Sequence, residues 1–194
     1  MISKGMLQRI KAVRRKFSSP IRIRRRKEWK DEAISIIERG LGRLDRAAVR
    51  EVIELLDSDV QDGKITKRRF GSMLVGSNKM QILENPPALL NKLFIQIYRD
   101  ENIAAADDLI ETIKGVGQGF VSCLLYLKNR SRYNIMSSRL IEGINIIFRV
   151  SIPKVGPFQE RYKTFNSLVN ELRKECRLEP QEVDLVLWAM ARGY

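Results

Sequence analysis

The chain has 194 residues, 44% of them apolar, enough to bury a substantial core in one large domain or one domain with an appendage. A formal net charge of +13 points to an anionic partner. Two cysteines and no histidine exclude a four-ligand Cys/His zinc site, a four-Cys iron–sulfur cluster and every histidine-activated nucleophile within one chain. The apolar runs fall far short of the roughly 20 residues of a membrane span, and the basic start lacks the apolar segment of a secretory signal. The expectation is a soluble cytoplasmic protein, with no cofactor, no metal and no membrane contact.

The charge is uneven along the chain. Residues 1–30 carry twelve Lys and Arg against Glu28 alone, whereas the other 164 residues hold 24 basic and 22 acidic groups. Met6, Leu7, Ile10, Val13 and Phe17 have some helical spacing, but Ser18-Ser19-Pro20 interrupts it and positions 22–27 are nearly all charge. Residues 1–27 therefore read as a flexible basic arm that adds salt-sensitive, sequence-independent affinity for a polyanion, with Arg24, Arg25 and Arg26 at its densest point.

From Trp29 the pattern turns helical, and residues 28–194 read as one helical domain. Ala33, Ile34, Ile36 and Ile37 lead to Gly40 and Gly42 as a stop. Asp45 then caps a helix carrying Val49, Val52, Ile53 and Leu56. Residues 57–66 resemble a calcium loop only superficially, because the twelfth position is Arg69 where a bidentate Glu is required, so a polar turn is expected. Helical stripes follow at 70–75, 89–98, 138–148, 165–173 and 183–190. Every long segment has a helical period, which predicts an all-α fold of roughly eight helices.

Between two such segments lies Ile113-Lys114-Gly115-Val116-Gly117-Gln118-Gly119-Phe120. Leu109, Ile110 and Ile113 form a stripe before it, and Val116, Phe120, Val121, Leu124 and Leu127 form one after it. Gly115 can take the positive φ that reverses a chain, and Val116 then points back between the helices. Gly117 and Gly119 leave the main chain open where unpaired N–H groups and the helix dipole attract an anion. Lys114 adds a point charge, and Gln118 opens the second helix. The pattern is a helix-hairpin-helix over about residues 107–128, suited to one phosphate oxygen of a nucleic-acid backbone and offering no groups that read bases. Asp107, Asp108 and Glu111 precede it as complements to a helix dipole. The loop Lys128-Asn129-Arg130-Ser131-Arg132-Tyr133 is basic and extends the candidate phosphate surface through Lys128, Arg130 and Arg132. Cys123, Phe120, Tyr126, Tyr162 and Trp188 read as core residues.

The hairpin, the basic loop and the stretch Tyr133-Asn134-Ile135-Met136-Ser137-Ser138-Arg139 together resemble the helix-hairpin-helix superfamily of base-excision DNA glycosylases, over about residues 107–148. The resemblance implies a multi-helix glycosylase-like fold, usually of two lobes, in which the hairpin grips duplex DNA while a pocket takes a flipped base. It also shows where this chain departs from the family. Gly119 stands where strand-cleaving members carry lysine, and Ser137 stands where the family places an aspartate. Ser137 or Ser138 then reads as the cap of the helix from Arg139. The resemblance implies a DNA-binding protein of DNA-repair type without the usual catalytic centre. Two alternatives stay open: an active monofunctional glycosylase drawing its carboxylate from Asp107, Asp108, Glu142 or Asp184, and a helical interaction or RNA-associated protein in which the hairpin is only a turn. Protein partners and oligomeric state are not legible.

Overall fold

The computed structural model describes residues 2–61, 64–67 and 76–194. Among them are ten α-helices: α1 (Lys4–Phe17), α2 (Pro20–Gly40), α3 (Arg46–Leu56), α4 (Gly76–Glu84), α5 (Pro87–Leu93), α6 (Ala106–Thr112), α7 (Gln118–Lys128), α8 (Ser138–Phe148), α9 (Phe158–Cys176) and α10 (Pro180–Ala191). The body is thus all-α, as the periodicity predicts. One antiparallel pair is added between α3 and α4, formed by β1 (Ser58–Gln61) and β2 (Lys64–Lys67), with Ser58 opposite Lys67 and Gln61 opposite Lys64. The stretch expected to be a polar turn forms this hairpin instead. Residues 62–63 lie outside the described residues, as does the predicted stripe at 70–75.

Local chemistry sets the helix ends. The Ser3 hydroxyl accepts from the Met6 N–H at 3.3 Å to start α1, and the Asp45 carboxylate accepts from Ala48 N–H at 2.8 Å to start α3. Gly40 ends α2, with Gly42 in the left-handed region at φ 83°. Glu179 and Glu182 form a reciprocal capping box at the start of α10. After α5 the chain continues directly into a π-helical turn, Phe94–Arg99, which turns Phe94, Ile97 and Tyr98 into the core.

The basic N-terminal segment is not an arm. Residues Lys4–Phe17 and Pro20–Gly40 are regular helices, and Ile10, at 1% exposure, lies with Val13 in the common core. The reason lies on α2, where Arg22, Arg26, Lys30, Ala33 and Ile37 follow one another at four- and three-residue steps along one buried face. Two aspartates meet the cations there. Asp59, on β1, accepts from Arg22 Nε at 3.0 Å and Nη2 at 2.6 Å, and from Arg26 Nη1 at 3.2 Å. Asp184, on α10, accepts from Arg26 Nη2. A buried charge persists only when paired in this way. Lys30 has a different surrounding: its Nζ lies 4.5 Å over the Tyr126 ring and 3.5 Å from its hydroxyl. Burial pushes the Lys30 ammonium down to about 8.

Two helices form the centre. α7 is buried from Gly119 to Leu127, and α10 is buried along nearly its whole length. α7 is apolar on nearly all sides because protein surrounds it, and the buried carboxylates of α10, Glu182 and Asp184, are met by Arg14 and Arg26. Gly143 on α8 lets α10 come close: a Cβ there would stand 2.3 Å from the Leu187 carbonyl oxygen. Phe120, Tyr126, Tyr162 and Cys123 are in the core as expected, and Trp188 is partly buried in edge contact with Phe17.

Candidate nucleic-acid interface

The turn between α6 and α7 has the geometry its residues call for. α6 ends at Thr112, and Ile113 leaves the helix in an extended conformation with its side chain in the core. Val116 N–H bonds back to the Ile113 carbonyl at 3.1 Å, and its side chain is also buried. Gly115 between them has φ 76°, which a residue with a Cβ adopts only under strain. The reversal is fastened from outside by Asn85. Its amide donates to the Lys114 carbonyl at 2.9 Å and accepts from the Lys114 N–H at 3.1 Å.

Gly117 is the N-cap of α7 and makes no side-chain cap; the first turn of the helix holds no acidic residue. Its φ of −135° is ordinary extended backbone, and a Cβ added to it would meet nothing within 4 Å. The fold therefore does not need glycine at 117, and the space beside it is open. The N–H groups of Gly117, Gln118 and Gly119 have no acceptor among the described residues. Two of these donors, on the partly exposed Gly117 and Gln118, and the positive end of the α7 dipole meet at this open turn, while the third, on Gly119, belongs to a buried residue.

Gln118 joins the turn to two other helices. Its amide nitrogen reaches Ser138 Oγ at 3.4 Å, and its amide oxygen accepts from Arg161 Nη1 at 2.7 Å. Arg161, on α9, also donates through Nε to the Gly156 carbonyl at 2.8 Å and through Nη1 to the Lys154 carbonyl at 3.0 Å. No carboxylate pairs with it among the described residues, and its Nη2 is unused. Partial burial lowers the pKa of this guanidinium, while the field of Asp107 works in the opposite sense. Asp107 itself is engaged by the Phe158 N–H at 2.7 Å, which ties α6 to the start of α9. The result is a held, un-neutralised arginine beside an uncapped helix start. Lys114 stands nearby at 74% side-chain exposure, 3.6 Å from Glu84, which is itself exposed, a pair of little energetic weight.

The remaining predicted contacts do not gather here. Lys128 ends α7, about 15 Å along the helix from Gln118, and its ammonium lies over the Tyr98 ring at 5.3 Å. Arg130 is paired with Asp31 at 2.6 Å, and Arg132 with Glu101 at 3.3 Å. The basic loop therefore occupies the opposite end of α7 and does not extend the turn. Arg24 and Arg25 are exposed on α2 with Glu28 at 3.6 and 3.1 Å, whereas Arg26 is buried between two aspartates and is unable to contact a ligand. Asn85 and Arg161, which shape the site, carry no sequence signal: they lie 29 residues before Lys114 and 43 after Gln118.

Gly119 is buried inside α7, and the Ser137 hydroxyl accepts from the Leu140 N–H at 3.4 Å as the cap of α8. Three of the four candidate carboxylates have structural bonds. Asp107 caps Phe158 N–H, Asp184 pairs with Arg26, and Glu142 is held below the usual carboxylate range by bonds from Lys154 and Arg139. Asp108 is exposed in the first turn of α6. Among the described residues no helix is long and apolar enough to cross a membrane. No protein-family model matches the chain, and no curated protein or solved structure matches it either.

Proposed function

We propose that the chain binds double-stranded DNA through its phosphate backbone, with the α6–α7 turn as the gripping element and without reading sequence. The observation that carries this is the pairing of an open, uncapped α7 N-terminus with the un-neutralised Arg161 guanidinium. An oxyanion seated at Gly117 and Gln118 satisfies donors that the fold leaves unpaired, and the free edge of Arg161 offers a charge-assisted bond to a second oxygen. Lys114 contributes a mobile point charge. The +13 net charge supplies long-range attraction for a polyanion. Contacts of this kind position a protein on DNA and leave specificity to other groups.

Fluorescence anisotropy with scrambled 20-base-pair duplexes tests the reading. Gly117→Asp places a carboxylate in the open space and is expected to weaken binding at least tenfold on every sequence, while Gly117→Ala keeps the fold and most of the affinity. Arg161→Gln is expected to reduce the slope of log K against log salt by about 1. Wild-type protein that fails to bind duplex at low salt, or Gly117→Asp binding as tightly as wild type, overturns the proposal.

A further inference from the structure

A second cationic feature lies on α1, independent of the hairpin reading. With Ile10 and Val13 turned into the core, Lys11, Arg14, Arg15 and Ser18 fall at three- and four-residue steps on a neighbouring stripe, where with Glu182 they line a cavity of about 410 Å³. Glu182 is fully occupied. Its two carboxylate oxygens accept from Arg14 Nε and Nη2 at 2.8 Å each, and one also accepts from Glu179 N–H at 2.9 Å. The pair fixes Arg14 in place and neutralises itself. Lys11 and Arg15 remain in the same cavity with no carboxylate at ion-pair distance among the described residues.

Two further facts fix the sign and type of ligand. The Ser18 hydroxyl is buried and has no hydrogen-bond partner among the described residues, and it lies beneath the cavity wall that this residue helps to form. A buried hydroxyl left unpaired costs free energy that a bound acceptor recovers. Two residues beyond Ser18, α2 begins at Pro20 with no side-chain cap and no acidic residue in its first turn, so the positive end of a 21-residue helix follows Ser18 directly in the chain. Two uncommitted cations of different shape, an arginine held in place, an unpaired hydroxyl and a positive dipole end suit a compact oxyanion with several acceptor oxygens.

We propose that the Lys11–Arg15–Ser18 cavity is a phosphate-binding site. The phosphate is either the terminal group of a small phosphomonoester or a backbone phosphate of nucleic acid. The adjoining cavity of about 370 Å³ shares Lys11 and Arg14 and is walled by Leu7, Ile10 and Leu178, giving room for the organic part of a monoester.

The test uses the full chain and inorganic phosphate as probe, followed by amide NMR in chloride buffer of matched ionic strength. Saturable shifts centred on Ser18 are expected, with a Kd of about 1 mM. Lys11→Gln/Arg15→Gln is expected to weaken them at least tenfold and Ser18→Ala several-fold, each at unchanged Tm; Ser18→Ala removes an unpaired group and so keeps the test valid if the double variant unfolds. Gly117→Asp is expected to leave these shifts intact, which separates this site from the hairpin. Duplex binding then identifies the source. A salt slope reduced by about 2 in the double variant assigns the site to the DNA backbone, and an unchanged slope assigns it to a free phosphomonoester. Absence of saturable shifts in the wild type, or equal shifts in the double variant, overturns the proposal.

Discussion

Replacing Lys30 with methionine should make the protein more stable. Lys30 is buried on α2 with no carboxylate at ion-pair distance among the described residues, and burial, only partly opposed by the field of Asp184, takes its pKa from 10.5 to about 8. A difference of that size corresponds to about 3 kcal/mol of penalty on the charged form at neutral pH. The ammonium recovers about 1–2 kcal/mol from the Tyr126 ring beneath it, 4.5 Å away. Lys30→Met keeps the apolar stem, removes the charge and leaves Arg22 and Arg26 facing Asp59 and Asp184, two charges of each sign. The expected gain is about 1–2 kcal/mol at pH 7, seen as a Tm higher by about 2–8 °C. The pH dependence has a definite sign. Between about pH 8 and 10.5 the folded wild type binds fewer protons than its unfolded chain, so its stability rises with pH there. The advantage of Lys30→Met is therefore full below pH 8 and shrinks as pH climbs through that window. Cys123, whose thiol burial pushes up to about 12, destabilises both proteins above its ordinary value of 9.0 and largely cancels in the comparison. Urea unfolding of both proteins from pH 7 to 10 is the assay. A variant less stable than wild type at pH 7, or a difference that does not change with pH, refutes the reasoning.

Arg26→Met leaves Asp184 with no partner and Asp59 with one fewer, and is expected to cost about 3–5 kcal/mol in denaturant unfolding; Arg24→Gln and Arg25→Gln, on the exposed face, should change stability by under about 0.5 kcal/mol. Gly143→Ala drives a methyl group into the Leu187 backbone, which has no flexible end to yield, so a loss of about 1–3 kcal/mol is expected in thermal melts. Gly117→Ala, with open space around it, should melt within about 2 °C of wild type. Asn85→Ala removes both bonds to Lys114 and should cost about 1–3 kcal/mol, with faster amide exchange at Lys114–Val116 as the local readout.

The parts of the fold legible in the sequence are those decided by neighbours. Gly115 takes a positive φ, Val116 tucks into the core, Asp45 and Ser137 cap their helices, and the run from Ser138 to Phe148 is a helix. Each follows from a turn or cap rule acting over three or four residues. The N-terminal segment misled because its cations look solvated. Arg22, Arg26 and Lys30 continue the stripe of Ala33 and Ile37, yet a charged stripe reads as a buried face only if its counterions are known. Those counterions, Asp59 and Asp184, lie 37 and 158 residues away from the arginines they meet. The candidate site divides the same way. Glycines within one turn announced it, while Arg161 and Asn85 reach it only through the tertiary fold, and the basic loop was separated from it by the length of α7.

The bond between Arg26 and Asp184 also orders events during synthesis. α2 emerges early with its guanidiniums facing inward, but the carboxylate from α10 does not exist until residue 184 has been made. Burying the α2 face before then leaves a charge short of its partner, so that face stays wet while the chain grows. α10 packs against α1, α2, α8 and α9, so complete burial of that face is expected only once α10 is present. A chain that ends before α10 keeps Asp59 for Arg22 and Arg26 but lacks the second carboxylate that Arg26 meets, and is expected to be less compact than the whole protein.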